Sequence, residues 1–219
     1  MNWIVSQLNQ AAALPDLLDE NGHLKLLTAS DYDRIPRESL RLWCHKNARY
    51  GLPTAELVDW LKEFINGRSA IEIGCGAGDL AHFLGIPATD SKIQAEPAVA
   101  ALYRGMGQPP VVYPDWVEKI EAVEAVRKYK PQVVVAQWVT HWIDPNLPPP
   151  PGGGCMFGPK EDEILAEGVT YVMIGNRRIH GAKPILKYGH KEFQFPFIRS
   201  RASFPEDDII YVWEGPECG

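Results

Sequence analysis

"AIEIGCGAGDLAHFLG", residues Ala70–Gly85, passes from a short apolar strand through three glycines at alternate positions into a helix. Glu72 is the one acid inside the apolar run, and Gly74, Gly76 and Gly78 follow it. Glycine at a strand-to-helix turn answers either a backbone angle that other residues resist or the close approach of a ligand. The competing ligands are a dinucleotide, a phosphate, or a molecule that carries both an adenosine and an amine. The dinucleotide fingerprint G-x-G-x-x-G fits at Gly74 and Gly76, but its third place falls on Asp79, whose carboxylate crowds and repels a pyrophosphate. The phosphate-loop pattern fails as well, because no Gly-Lys-Ser/Thr follows. What remains is E-x-G-x-G-x-G.

Outward from this turn, short apolar runs alternate with helical stretches. The strands expected are "AIEIG", "IPATD", "PVVYP", "QVVVAQWV", "TYVMIG", "EFQFPFI" and "DIIYVWEG", with helices over Asp79–Leu84, Gln94–Arg104, Trp116–Tyr129 and Lys160–Glu167. Alternation of this kind predicts an α/β fold: a doubly wound, mostly parallel seven-stranded sheet with helices on both faces. No helical pattern separates the last two runs, so they are expected to close the sheet as a terminal antiparallel hairpin. Upstream, "IPRESLRLWCHKNARYG" reads as a helix with Pro36 in its first turn, Leu40, Trp43, Cys44 and Asn47 on one face, and Gly51 as its end. "PTAELVDWLKEFING" reads as another, capped by Thr54, with Leu57, Leu61, Phe64 and Ile65 inward and Gly67 as the stop. The expected organisation is an N-terminal helical addition over residues 1–52 and a ligand-binding domain over 53–219.

With Glu72 before the glycines and a second acid, Asp90, ending the next strand, the sequence resembles the class I S-adenosylmethionine-dependent methyltransferases. The likeness spans roughly Ser69–Gly219 in element order, and only Glu72–Gly78 is specific. It implies S-adenosylmethionine as cofactor, with Gly74, Gly76 and Gly78 letting the backbone approach its methionine portion and sugar. Glu72 is implied to hold the amino end, and Asp90 to accept both ribose hydroxyls, a task that suits a carboxylate's two oxygens. After the third strand, "VVYPDW" offers Asp115 and Trp116 toward the adenine. Only Asp79–Pro87 separates the last glycine from the second strand, a short connection for the family. The plainer readings stay open: Asp90 as a strand-end turn residue, and Asp115 as a helix N-cap.

Ligands of open parallel sheets sit beyond the carboxyl ends of the strands. The fourth strand runs into "THWIDPNLPPPPGGGCMFG", so that corner is expected to meet the methyl acceptor. His141 has the intrinsic pKa of a base, and Asp144 is placed to orient or replace it, although a strand-end hydrogen bond is a simpler role for His141. Asp144-Pro145-Asn146-Leu147 matches only two places of the Asp/Asn/Ser-Pro-Pro-aromatic pattern of base-amine methylation, which disfavours that chemistry. Pro148–Pro151 followed by Gly152–Gly154 reads as a lid or as a solvent-exposed connector.

The chain of 219 residues is 45% hydrophobic and 23% charged, the composition of a globular protein, and its formal net charge of −6 argues against nonspecific nucleic-acid binding. One stretch breaks the acidic trend: Asn176–Arg201 holds seven Lys/Arg and two His against one acid. It is expected either to receive an anionic acceptor, a small molecule or an RNA, or to be a solvated surface. Cys44, Cys75, Cys155 and Cys218 show no CxxC spacing, which suggests neither a metal site nor a disulfide framework. Without a basic leader or a membrane-length apolar run, the expected setting is cytoplasmic, with no membrane partner. The competing function classes are a methyltransferase, a noncatalytic module of the same fold, and an NAD-linked oxidoreductase, which Asp79 disfavours.

Overall fold

The apolar runs lie side by side in one sheet. In the computed structural model, which describes residues 16–147 and 154–215, that sheet has seven strands. They are β2 (Ala70–Ile73), β3 (Ala88–Asp90), β4 (Glu118–Lys119), β5 (Val133–Gln137), β6 (Thr170–Asn176), β7 (Lys191–Phe193) and β9 (Asp208–Trp213), in the order β4-β3-β2-β5-β6-β9-β7. The first five are parallel to one another. β9 alone runs the other way, antiparallel between β6 and β7. The fold is the α/β, mostly parallel sheet expected, and the last two strands do form an antiparallel pair. Residues 1–15, the Pro148–Pro151 run with Gly152 and Gly153, and Cys218 lie outside the described residues.

Because side chains alternate along a strand, each face of the sheet makes its own core. Ile71, Ile73, Val134, Ala136, Tyr171, Met173, Ile209 and Tyr211 share one face with Ala125 and Val126 of α6 (Ala122–Tyr129) and Ile164 of α7 (Glu161–Ala166). Ala70, Val133, Val135, Val172, Ile174, Ile210 and Val212 share the other with Leu57, Val58, Leu61 and Ile65 of α3 (Ala55–Ile65) and Leu80 of α4 (Asp79–Leu84). Thr54 caps α3 as expected, its hydroxyl accepting the Leu57 N–H at 3.1 Å. A third cluster joins Leu17, Leu24, Tyr32, Leu40, Trp43, Cys44 and Leu52 around α1 (Ala29–Asp33) and α2 (Arg37–Lys46), with Phe83 of α4 packed against it.

Several elements differ from the sequence reading, and prolines explain most of the differences. "PVVYP" is not a strand: three prolines (Pro109, Pro110 and Pro114) withhold ladder donors, and the short β4 beyond them pairs with β3 instead. The helix expected from Trp116 starts only at Ala122. "EFQFPFI" contributes only Lys191–Phe193, since Pro196 ends its ladder. Pro97 opens α5 (Pro97–Gly105) behind a 3₁₀ turn, Ile93–Ala95, where one helix was expected. α2 ends at Lys46, and Gly51 belongs to β1 (Gly51–Leu52), which pairs antiparallel with β8 (Arg199–Ser200). α3 stops at Asn66, itself left-handed at φ 46°, one residue before Gly67. No helix among the described residues is long and apolar enough to cross a membrane.

Beneath α7 lies a charge pair cut off from water. Lys183 Nζ meets both Glu161 carboxylate oxygens at 2.7 and 2.8 Å, with side-chain exposures of 1% and 2%, and Tyr171 donates its hydroxyl to Glu161 at 2.8 Å. Removing one partner of such a pair strands the other in a low-dielectric core, which costs about 3–5 kcal/mol. Lys183→Met is therefore expected to lose about that much stability in urea unfolding, and adding Glu161→Leu is expected to return part of it. Equal losses in the single and double variants would contradict this.

Candidate active site

The turn after β2 turns its bare backbone into a cleft at the carboxyl edge of β2, β3 and β5. Gly74, Gly76 and Gly78 have φ of 56°, 58° and 76°, a region that L side chains occupy only with strain. Their surroundings differ. A Cβ on Gly74 would stand 2.7 Å from Val139 Cγ1, and one on Gly78 would stand 2.5 Å from the Trp116 ring. On Gly76 the nearest atom is 3.8 Å away, so that position faces open cleft. Two of the glycines thus permit packing, and the middle one leaves its backbone facing the open cleft.

Three carboxylates hold this turn. Asp90, at the end of β3, accepts the Gly76 N–H on Oδ2 at 2.9 Å and the Lys92 N–H on Oδ1 at 2.7 Å. Tyr113 stands on the same side of the cleft, and its hydroxyl favours the ionised form of Asp90. Burial raises the Asp90 pKa against these bonds. Glu72, buried in β2, accepts the Ala81 N–H of α4 at 2.8 Å. Loss of solvation pushes its pKa up to about 8, with Asp79 and Asp90 adding repulsion and the Ala81 N–H opposing. Asp79 opens α4 and takes Arg49 Nε at 2.5 Å and the Leu24 N–H at 3.1 Å. In the cleft lining Arg49 neutralises Asp79 and Glu72 keeps its proton at neutral pH, which leaves Asp90 as the carboxylate without an ion pair. A cationic ligand suits that balance, whereas a polyphosphate would be repelled.

Ala48–Gly51 form one wall of the cleft, and Tyr103, Val111 and Tyr113 form another. Beyond the end of β5 it is bounded by Gln137, Trp138, Val139, Phe157 and Pro159. Trp138 has φ 59°, an unusual angle for a bulky residue, while its N–H bonds Ile174 O at 2.8 Å and its ring meets His180 edge to face at 5.2 Å. Strain of this kind concentrates where function constrains the backbone.

Of the residues singled out in the sequence, Glu72, Gly74, Gly76 and Asp90 line the cleft, and Gly78 stands behind its turn. Asp115 and Trp116 do not line it: Asp115 is exposed, and Trp116 lies across Gly78, tilted against His82 and His23. His141 and Asp144 line a neighbouring cavity with Trp142, Lys160 and Glu161, and Pro159 separates the two spaces. His141 is buried with Nε2 unpartnered, and burial and then Lys183 hold its pKa below the ordinary imidazole range. Asp144 accepts the Asn146 N–H at 2.9 Å in its own turn. The reason for this placement is a backbone return: Cys155 N–H bonds His141 O at 2.9 Å and Trp142 N–H bonds Pro159 O at 3.1 Å, folding the corner over itself. The basic stretch is likewise dispersed in space. Arg177 pairs with Glu192, Arg178 with Asp207, Lys187 with Asp162, Lys191 with Glu214 and Arg199 with Asp33.

Arg49 and Tyr50 belong to "CHKNARYG", Cys44–Gly51, whose polar groups read from the sequence either as a cover over the pocket or as a cap on the sheet, whereas sequence reasoning missed Tyr103, Tyr113, Gln137 and Trp138. For the last two a signal existed, because they end the fourth strand, where ligands of parallel sheets sit. For Tyr103 and Tyr113 no motif pointed to the cleft.

No protein-family model matches this chain, and no curated protein matches it. Among solved structures, it is similar to a SAM-dependent O-methyltransferase from Thermotoga maritima at 10% identity, over 82% of this chain and 72% of that one, with a TM-score of 0.40. It is also similar to an O-methyltransferase family protein from Burkholderia thailandensis at 10% identity, over 98% and 69% of the two chains, TM-score 0.36. A Thermoplasma acidophilum protein is 14% identical over 75% and 91%, TM-score 0.35. These are likenesses of shape, and the activities in those names are those proteins' own. What this chain itself shows is an α/β fold, a mostly parallel seven-stranded sheet with a left-handed glycine turn after β2.

The raised pKa of Glu72 makes stability depend on pH. From about pH 4.5 to 8 the unfolded chain has ionised this carboxyl while the folded chain still holds its proton, so stability falls as pH rises, by at most about 1.4 kcal/mol per unit. Below that window the group contributes no slope, and above it the loss is complete. Glu72→Gln imitates the protonated side chain. Urea unfolding is expected to show wild type and variant close at pH 4.5, with the variant more stable at pH 8. Parallel pH profiles would exclude the buried proton.

Proposed function

We propose that the cleft binds S-adenosylmethionine and that the protein is a methyltransferase whose acceptor enters beyond the end of β5. One observation carries this reading: the open backbone at Gly76, bonded to Asp90, in a cleft whose charges favour a cation. When bound, the cofactor supplies a methyl group carried on a sulfonium. Asp90 retains lone pairs for hydroxyl donors while the Gly76 and Lys92 N–H groups fix its orientation. Glu72 offers its carboxyl to an amine, a partner that would favour its ionised form. Trp138, Phe157 and Pro159 give the acceptor side an apolar boundary that excludes water.

His141 and Asp144 lie on the neighbouring cavity, so the described lining offers no imidazole as a base. Burial raises the Tyr103 hydroxyl to about 12, which keeps it protonated at neutral pH. Alignment and exclusion of water therefore carry the transfer, and an acceptor that is nucleophilic without losing a proton suits the site best. Ion pairing of Arg177, Arg178, Lys187, Lys191 and Arg199 weakens the electrostatic case for an anionic acceptor, small molecule or RNA.

Calorimetry with S-adenosylmethionine and S-adenosylhomocysteine tests the reading. Both are expected to bind, and Asp90→Ala is expected to weaken them by ~1.5–3 kcal/mol, roughly 10- to 150-fold. Failure of both to bind the wild type would remove the assignment. Binding without transfer of labelled methyl to any component of a cell extract would favour a noncatalytic module instead.

A further inference from the structure

We propose that the segment Ala48–Gly51 is a lid over the cleft, latched by Arg49 on Asp79 and anchored at its end by Leu52, which is buried in the third core cluster. Its purpose as a ligand gate rests on the cofactor reading above; its mechanical basis does not. Arg49 and Asp79 are nearly buried, at 11% and 8% side-chain exposure, and meet at 2.5 Å. Asp79 is the first residue of α4, immediately behind the glycine turn. One carboxylate thus joins the ligand-facing loop to the opposite wall.

Between that latch and the Leu52 anchor the segment is fastened more lightly. The Arg201 N–H bonds Tyr50 O at 3.0 Å, the Arg201 guanidinium lies 3.7 Å from the Tyr50 ring centre, and Arg201 Nη2 reaches Gln108 at 3.0 Å. Two residues of β1 pair with two of β8, a ladder too short to hold on its own. Opposing these contacts are two costs of closure. Ala48 is left-handed at φ 51°. Gly51 seals the Gln137 amide so closely that a Cβ there would stand 2.5 Å from it, and the buried Gln137 Nε2 has no hydrogen-bond partner. Lifting the segment relieves both costs and uncovers Gln137 at the acceptor end of the cleft. Strong latch, weak hinge contacts and stored cost together describe an element with two positions.

Backbone hydrogen exchange on the full chain tests this, with the Arg201 amide reporting the lid and the Trp138 amide, bonded to Ile174 O at 2.8 Å, reporting the sheet. In the ligand-free wild type, Arg201 is expected to exchange by local opening, at least about tenfold faster than Trp138. Arg49→Ala is expected to speed Arg201 a further tenfold or so while Trp138 keeps its rate, and Arg49→Lys, which keeps charge without the fork, is expected to fall between. Saturating S-adenosylhomocysteine is expected to slow Arg201 in the wild type. Exchange of Arg201 in step with Trp138, or equal acceleration of both in Arg49→Ala, would overturn the lid. So would binding of S-adenosylhomocysteine that leaves Arg201 unchanged. If that ligand does not bind, the cofactor reading falls, while the ligand-free comparisons still decide whether the segment opens.

Discussion

A single hydrogen bond, from the Gly76 N–H to Asp90 Oδ2, fixes the turn on which the site depends. The left-handed glycines leave β2 with backbone donors pointing away from any ladder, and buried donors need acceptors. Carboxylates supply them around this turn: Asp90 for Gly76, Glu72 for Ala81, Asp79 for Leu24. Each acid ties the same short stretch to a different neighbour, namely the next strand, the following helix and the N-terminal wall. The choice of acids as struts also sets the character of the cleft, through Asp90 above all, since Asp79 is paired with Arg49 and Glu72 is neutral at neutral pH. A turn braced by lysines would welcome phosphates; one braced by acids selects against them.

Charge in the chain and charge in space are different quantities. Asn176–Arg201 is the most basic stretch of the sequence, yet folding brings carboxylates from outside it onto Arg178, Lys187, Lys191 and Arg199. These exposed pairs contribute little stability, but they cancel a field that a linear reading attributes to the stretch. The reverse holds at Glu72, where one acid among apolar residues becomes a neutral group because burial withholds the water an anion needs.

The elements legible in the sequence were those decided locally. β5, β6 and β9 are continuous apolar runs with no proline, and α4 matches its expected span, Asp79–Leu84. Thr54 announced α3 by its own chemistry. Elements rich in proline were over-read, because Val111 and Val112 have strand-like side chains on a backbone whose neighbours cannot donate. Within the site, Gly76 and Asp90 were legible because a backbone constraint and a strand end mark them. Trp116 was not, since its place over Gly78 depends on a loop trajectory that no local pattern encodes. His141 fails for a related reason. It follows the right strand, but the return of Cys155–Pro159 stands between it and the cleft.

The position of β9 has a bearing on how the chain assembles. β6 and β7 are separated in the sheet by a strand that comes after both in sequence, and β7 has no other ladder partner. When β7 is already formed as chain, its place in the sheet does not yet exist. The parallel half, β2 to β6, can pair as each strand follows the last, but the far edge must wait for β9 to find β6 across a loop of more than thirty residues. Until then the β6 edge is an open row of donors and acceptors, a template for any extended segment that arrives first. Delay of this kind slows folding and lengthens the time during which two half-finished copies can join edge to edge.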